Sequence, residues 1–413
     1  MANEASCAWA AGDVVRSREL CDSLDLTDPH AYDFTMWRVA VTTKSLALSS
    51  LGLTHEALAL AERAIAESSA ADDAYDLDAD APMEQAVRII ALTEGGRLDD
   101  ARTAARQAHA SLVGHFAATG LNQRVLSFHL ARAEWLAGHP MEARRWYAQV
   151  ASGSRPHAAC PLATALAGLT AAAGLLGDVE AAEKAWAERC RLEMSLHTPE
   201  EMLGQAWLSA ARGEASNARR VLSSAAREAR NRNETGTEAL LLTDLARLGG
   251  AREAAGRLKE IAATTDSPFH EARALFATAW ANEDPEGLVR AGEQVEALGA
   301  DLLAAEAYAT AAAFWEKVSQ RPAQAAAIRS RRLADRCEGA RSPALVRARA
   351  GATLTGRELE IGMLAAQGLT SRDIADRLTI SVRTVDNHLH RIYHKLGITT
   401  RQELTAQLNQ PAP

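Results

Sequence analysis

Lysine is scarce in this chain. Only Lys44, Lys184, Lys259, Lys317 and Lys395 occur in 413 residues, and none follows a glycine, so the G-x-x-x-x-G-K-[ST] loop that cradles nucleotide phosphates is absent. There is no G-x-S-x-G elbow, no H-E-x-x-H helix and no glycine-rich dinucleotide loop either, so catalysis has no written support. The expectation is a protein that is not an enzyme and holds no cofactor or metal. The five cysteines (Cys7, Cys21, Cys160, Cys190, Cys337) are odd in number and lack C-x-x-C spacing, which suits reduced thiols in a cytoplasm better than disulfides or a zinc cluster. The start, MANEASCAWAAGD, has no basic segment before an apolar core, so no signal peptide is expected. Between Arg155 and Asp178 no residue is charged, but the stretch is mostly Ala, Thr and Gly with Pro156 and Pro161. Alanine transfers weakly into lipid, so a buried helix is expected there, with no membrane partner. Strand-like alternation is missing throughout, and the fold class is all-α.

What the chain does contain is a repeat. A small residue followed five positions later by Ala recurs at Gly52/Ala57, Gly96/Ala101, Gly138/Ala143, Gly177/Ala182, Gly213/Ala218 and Gly249/Ala254, with degraded copies at Asn282/Gly287 and Gln320/Ala325. Successive first positions lie 33 to 44 residues apart. Each pair sits between two apolar-periodic stretches, as in Ala131–Val150. The glycine ends one helix and turns the chain; the alanine lets the next helix approach closely. Stacked helical hairpins written this way build a superhelical solenoid. Trp37, Trp135, Trp146, Trp186, Trp207, Trp280 and Trp315 fall inside these helices and are expected to pack between hairpins.

The last sixty residues differ in grammar. Thr355 and Glu358 form an S/T-x-x-E capping box, the helix runs to Gln367, and Gly368 supplies a left-handed end. Ser371 is expected to cap a short helix ending near Leu378, Ser381 a longer one ending at Leu396, and Thr400 with Glu403 a fourth. In the third helix Val385, Leu389, Ile392 and Leu396 make one apolar stripe. The opposite face carries Arg383, Asn387, His390 and His394, flanked by Thr384, His388, Arg391 and Lys395. A major groove admits one helix, and base edges are read there by Arg, Asn and similar side chains. Arg372, near the start of the preceding helix, is placed to meet phosphate. A small bundle with a solvated polar helix is the bland alternative; the capped helix-turn-helix spacing argues for DNA.

This segment resembles the LuxR-type (GerE-like) helix-turn-helix of bacterial transcription regulators, through Leu354-Thr355-x-Arg357-Glu358, Gly368-Leu369, Ile374-Ala375, Ile380-Ser381, Arg383-Thr384-Val385, His388 and Lys395-Leu396-Gly397. The resemblance implies major-groove binding by the third helix, base contacts at Asp386, Asn387 and His390, and a phosphate contact at Lys395. It also implies a homodimer on double-stranded DNA, paired through the fourth helix, for which Leu404 and Leu408 are candidates. Asp386 departs from the lysine common at that position; it can accept from a cytosine amine, so the operator sequence is what it alters.

The repeats resemble tetratricopeptide repeats, and residues 299–341 resemble the segment joining repeats to DNA-binding domain in large MalT-like LuxR-family regulators. Without a phosphate loop, ATP control is not carried over, and without alternating strands a phospho-receiver domain is not expected. The domain expectation is 1–340 helical repeats, 341–350 linker and 351–413 DNA-binding unit. The formal charge of −8 divides unevenly. Residues 351–413 hold seven Arg/Lys and six Asp/Glu, a net of +1, leaving 38 basic against 47 acidic residues, a net of −9, in 1–350. The acidic mass therefore lies away from the DNA-binding end.

Two charged runs have plain readings. Asp72, Asp73, Asp76, Asp78 and Asp80 crowd one stretch, and the D-x-D-x-D at 76–80 is similar to a calcium loop, but Ala81 and Val87 stand where the turn glycine and bidentate glutamate belong, so a solvated acidic loop is expected. Arginines 329, 331, 332, 336, 341, 347 and 349 suit flanking phosphates and an exposed helix face equally. The function expected is a cytoplasmic transcriptional regulator controlled through its repeats by a protein or small-molecule effector, with RNA polymerase a further candidate partner. The alternative is a helical-repeat adaptor for a protein partner, with DNA contact secondary.

Overall fold

The computed structural model describes residues 1–29, 33–75, 82–112, 120–152, 161–192, 198–316, 318–349, 354–396 and 398–409, and shows no strand among them. Among the described residues the helices pair into nine hairpins. These are α1 (Ala2–Ala10) with α2 (Val14–Asp22), α3 (Phe34–Ser50) with α4 (Thr54–Tyr75), and α5 (Pro82–Glu94) with α6 (Leu98–Leu112). Next come α7 (Gly120–Ala137) with α8 (Pro140–Ser152), α9 (Leu162–Leu176) with α10 (Val179–Cys190), and α11 (Met202–Ala211) with α12 (Ala215–Asn231). The last are α13 (Thr235–Leu245) with α14 (Ala251–Thr264), α15 (Pro268–Ala281) with α16 (Pro285–Ala297), and α17 (Asp301–Trp315) with α18 (Gln320–Ala334). A short α19 (Pro343–Arg349) leads to α20 (Gly356–Ala366), α21 (Ser371–Leu378), α22 (Val382–Leu396) and α23 (Arg401–Asn409).

The repeat does what its spacing implied. Gly52, Gly96, Gly138, Gly177, Gly213 and Gly249 all have positive φ. Ala57, Ala101, Ala143, Ala182, Ala218 and Ala254 are all completely buried, where a longer side chain would push the two helices of the hairpin apart. The seventh turn is made by Glu283, at φ 53, one residue after Asn282. Gln320 is the first residue of α18 and makes no turn, so that degraded copy is displaced. The hairpin α1–α2, turned by Gly12, lies upstream of every copy of the motif, because Ser17 stands where the alanine would be.

The turns also close the superhelix. A methyl placed on Gly138 would lie 2.6 Å from the amide nitrogen of Leu302, about five hairpins onward. Gly52 meets Thr265, Gly177 meets Arg341, and Gly213 meets Leu364 in the same manner. Polar bonds accompany these contacts. Asp266 caps α4 from 212 residues away, accepting from the Thr54 amide at 2.6 Å and the His55 amide at 3.2 Å. Glu338 caps α8 by accepting from Met141 and Glu142 amides. The amides of Asp266 and Arg341 donate to Gly52 O and Leu175 O, carbonyls at or just past the ends of first helices. Helix termini orphaned within one hairpin are thus satisfied by the next superhelical layer.

Closure makes two kinds of glycine. Gly138→Ala is expected to cost about 2 kcal/mol, since a left-handed φ is strained by a Cβ and Leu302 backbone fills the space. Gly339→Ala, with φ +84 and nothing within 4 Å, carries the strain alone, about 1 kcal/mol. Thermal unfolding of the two variants should rank them so; equal midpoints would argue against the layer contact.

Several expectations meet their surroundings here. Trp37, Trp135 and Trp207 are buried, while Trp146, Trp186, Trp280 and Trp315 are half-buried at the margins of the repeats. The uncharged stretch forms α9, interior to the solenoid from Leu162 onward, and no helix among the described residues is long and apolar enough to cross a membrane. Cys7, Cys21, Cys190 and Cys337 are free thiols; Cys160 and the acidic positions 76–80 lie outside the described residues. Three of the seven arginines of the run pair with acids of adjacent helices: Arg329 with Glu293, Arg332 with Glu296 and Arg336 with Asp301. That favours the helix-face reading. The segment expected as a linker is mostly α19, with Leu345 buried in the repeat core and Val346 in the core of the terminal domain.

Candidate nucleic-acid interface

Helices α20 to α23 share one small core in which Leu359, Ile361, Leu364, Ile374, Val385, Leu389, Ile392 and Leu404 are buried. Their ends are fixed locally. Thr355 and Glu358 form the expected capping box, the Ser381 hydroxyl accepts from the Thr384 amide at 3.1 Å, and Glu403 accepts from the Thr400 amide. The second helix corrects the sequence reading by one position: Thr370 caps it, in a box with Asp373, and Ser371 is its first residue. Thr379, at φ 52, makes the turn between α21 and α22.

The stripe Val385, Leu389, Ile392 faces the core and Leu396 is half-buried, which leaves the other side of α22 to solvent. Arg383, Asp386, Asn387, His390, Arg391 and His394 are exposed, and so is Arg372 on α21. Among the described residues, none of the repeats covers these positions. Thr384 and His388 are half-buried, and the Thr384 hydroxyl shares a hydrogen bond with Ser381. The Nδ1 of His388 is enclosed without a hydrogen-bond partner, so this residue sits beneath the surface row and not in it.

Lys395 is engaged inside the domain. Its ammonium donates to Glu358 Oε2 at 2.6 Å, joining the end of α22 to the start of α20. Burial disfavours the Glu358 charge, but hydrogen bonds from Lys395 and Thr355 outweigh it and hold the carboxyl below the usual carboxylate range. A depressed carboxylate stabilises the fold above its unfolded pKa and loses that stabilisation as pH falls through the folded value. Lys395→Ala is therefore expected to lower domain stability by about 1 kcal/mol at neutral pH, with the deficit vanishing in acid. A pH-independent difference in thermal midpoint would show that the pair is not the source.

Leu404 and Leu408, the expected dimer contacts, are 0% and 8% exposed. In this arrangement both belong to the interior of a single chain, so neither is open to a second copy. Leu404 is sealed within the domain's own core, and Leu408 also lines the junction where the domain is docked on the repeats. Leu364 packs against Gly213, the Gln367 amide donates to Ala211 O at 2.5 Å, Arg377 pairs with Glu214 at 2.7 Å, and Arg341 donates to Leu408 O at 3.3 Å. Ala211 O is the same kind of terminal carbonyl that Asp266 and Arg341 amides occupy one layer earlier. The terminal domain thus continues the superhelix where a further repeat would stand. Arg377 and Gln367 were not singled out from the sequence, since their partners lie more than 150 residues away.

Residues 352–407 match the family described as bacterial regulatory proteins, luxR family. Over 57 residues the chain is 44% identical to an HTH-type transcriptional regulator of Mycobacterium tuberculosis, covering 14% of this chain and 6% of that protein. Over 51 residues it is 45% identical to the oxygen regulatory protein NreC of Staphylococcus aureus, covering 12% of this chain and 24% of NreC. The chain thus spans only a small part of the curated relatives it matches. A solved Rap protein complexed with competence and sporulation factor superposes with a TM-score of 0.48 at 12% identity, over 90% of this chain and 99% of that one. The carboxy-terminal unit is a LuxR-family helix-turn-helix domain.

Proposed function

We propose that this chain is a DNA-binding transcriptional regulator that reads an operator with the exposed face of α22 and is controlled through its helical repeats. One observation carries the reading: Arg383, Asn387 and His390 stand exposed along one side of a capped, well-packed third helix whose other side is core. Such a face presents donors at the spacing that major-groove base edges accept. Selection of bound fragments from the source genome, followed by anisotropy titration, tests it directly. With about six to ten phosphate contacts in a dimer, affinity should fall steeply with salt. A purified chain that ignores duplex DNA at low ionic strength would overturn the reading and leave the adaptor alternative.

Control is proposed to act through docking. The docked domain lies beside repeats (residues 1–340) with 35 basic against 47 acidic residues, a net of −12, which disfavours approach of a polyanion. Docking also places Leu408, one of the pairing residues that the family resemblance implied, against the junction with the repeats, so a DNA-bound homodimer paired through it requires at least partial release. Glu214→Ala with Gln367→Ala removes one exposed ion pair and one part-buried hydrogen bond, about 1–2 kcal/mol together. The docking equilibrium should then shift by about 5- to 30-fold toward release. Interdomain fluorescence transfer would register this as a longer mean distance, with DNA affinity rising in parallel; unchanged transfer and affinity would refute docking as the switch.

A further inference from the structure

Control through the repeats needs a place where something binds, and one cation in their interior stands incomplete. Arg273 of α15 is 2% exposed, its Nε is enclosed without a hydrogen-bond partner, and among the described residues it forms no ion pair. The Phe269 ring lies 3.7 Å from its guanidinium carbon, which covers one face and supplies no oxygen. Burial pulls the guanidinium down to about 10, against the attraction of Glu94. A buried cation without hydrogen bonds is expensive to keep, so its retention asks for a group that completes it.

Arg273 borders a niche of about 30 Å³ inside the superhelix, together with Trp135 of α7, Asp244 and Arg247 at the end of α13, and Leu302 of α17. That is space for about two or three waters, or for one carboxamide group. Most polar atoms around it are already committed. Arg247 donates to Asp244 and to both oxygens of Glu306, and the hydroxyl of Thr243, which also lines the niche, donates to Ala239 O. Asp244 is different. Its hydrogen bonds from Trp207 and Arg247 both end on Oδ1, which leaves Oδ2 an open acceptor among the described residues. Asp244 and Arg273 attract each other but form no ion pair, so a spare donor and a spare acceptor border one small space without meeting.

Charge decides what fits between them. The acids of this interior chain, Glu94, Glu200, Asp244 and Glu306, already outnumber its arginines, Arg132, Arg247 and Arg273. Burial holds the neighbouring His129 and His270 neutral, at about 3 and about 4. A further carboxylate would enlarge the acidic excess, whereas a neutral planar group with a carbonyl beside an amino group satisfies both ends. We propose that this niche binds a primary carboxamide, its carbonyl accepting from Arg273 and its amino group donating to Asp244 Oδ2. A small amide and the Asn or Gln side chain of a peptide both carry that group.

The niche is bounded by helices of the fourth, seventh, eighth and ninth hairpins, close to where Leu302 fills the space over Gly138. A bound carboxamide bridges these hairpins and favours the closed superhelix by its differential affinity. As an effector site it rests on the reading that the repeats govern DNA binding. Occupancy is measured without DNA, so failure of that reading and failure of this one are told apart.

Propionamide and propionate are the probes, alike in shape but different in charge and in one donor. Each is titrated into the full chain and followed by saturation-transfer NMR and thermal midpoint. With about five non-hydrogen atoms, a dissociation constant of about 1–10 mM is within reach. Propionamide should bind saturably, raise the midpoint, and bind about tenfold tighter than propionate. Arg273→Met should weaken propionamide about tenfold or more, with the far-ultraviolet circular dichroism of the parent. Asp244→Asn keeps an oxygen for Trp207 and Arg247, turns the open acceptor into a donor and removes the acidic excess. It should therefore reverse the preference and select propionate, a gain that a misfolded variant does not show. Tighter binding of N-acetyl-glutamine methylamide than of propionamide assigns the group to a peptide side chain, and weaker binding to a free amide. Absence of saturable propionamide binding would mean that the niche holds waters only. That result, a preference for propionate in the parent, or unchanged selectivity in Asp244→Asn would each overturn the proposal.

Discussion

Replacing Glu306 by alanine should destabilise the repeats by about 3–5 kcal/mol, because it leaves a buried guanidinium without its main counter-charge. Glu306 is fully enclosed, and both of its oxygens accept from Arg247, at 2.8 Å each. Arg247 also donates to Asp244 at 2.6 Å and lies over the Trp207 ring, whose indole N–H donates to Asp244. Burial pushes the Asp244 carboxyl up, against the pull of Arg247, so Asp244 alone is a weaker counter-charge for Arg247 than Glu306. Removing Glu306 cannot be compensated by water, since Arg247 is 7% exposed. Urea unfolding should show the loss as a lower midpoint at similar slope. The combined variant Asp244→Asn, Arg247→Met, Glu306→Leu should recover most of it, because an apolar replacement of the whole cluster leaves no charge behind. If Glu306→Ala shifts stability by less than about 1 kcal/mol, Arg247 finds another partner and the cluster is not a unit.

The second large effect concerns specificity. Asn387→Ala or Arg383→Ala should each reduce preference for the selected operator over a single-base variant by about 5- to 150-fold, corresponding to 1–3 kcal/mol per base contact. Their effect on random duplexes should be far smaller for Asn387, which is uncharged and adds nothing to counterion release. Both side chains are exposed and lie outside the core, so the variants should unfold like the parent. Operator discrimination unchanged in both would assign recognition to a different face of the domain. Asp386→Lys provides a contrast: it adds a cation at an exposed position and should raise affinity for all duplexes while altering the preferred base.

Much of the local architecture was legible because its causes are local. Capping boxes at Thr355 and Thr400, the left-handed Gly368, and the stripe through Val385, Leu389 and Ile392 each involve residues within one or two turns of one another. The Gly–Ala pairs were legible for the same reason, since a hairpin's turn and closest approach are five residues apart. The slip from Thr370 to Ser371 came from two adjacent hydroxyl residues that satisfy the same rule, and Asp373 settles it by completing a box with Thr370. The first hairpin escaped because its close-approach position holds Ser17, a small residue other than alanine.

The site was legible as a face but not as a set of equal residues. Periodicity placed Thr384, His388 and Lys395 beside the groove-facing row, and helical geometry agrees. It could not see that Lys395 is bonded to Glu358 or that the His388 ring nitrogen is enclosed. Those outcomes depend on which helix packs over the end of α22.

From the order of residues alone came the all-α class, the stacked hairpins, the helix-turn-helix and the outward row of α22, since each depends on contacts a few residues apart. Tertiary structure decided how far the solenoid winds before it closes, that Asp266 and Glu338 cap helices across layers, and that the DNA-binding domain takes the place of the next repeat. It also decided that Leu408 lies against the junction with the repeats. These depend on small rotations summed over about five hairpins, and no short stretch of sequence records such a sum.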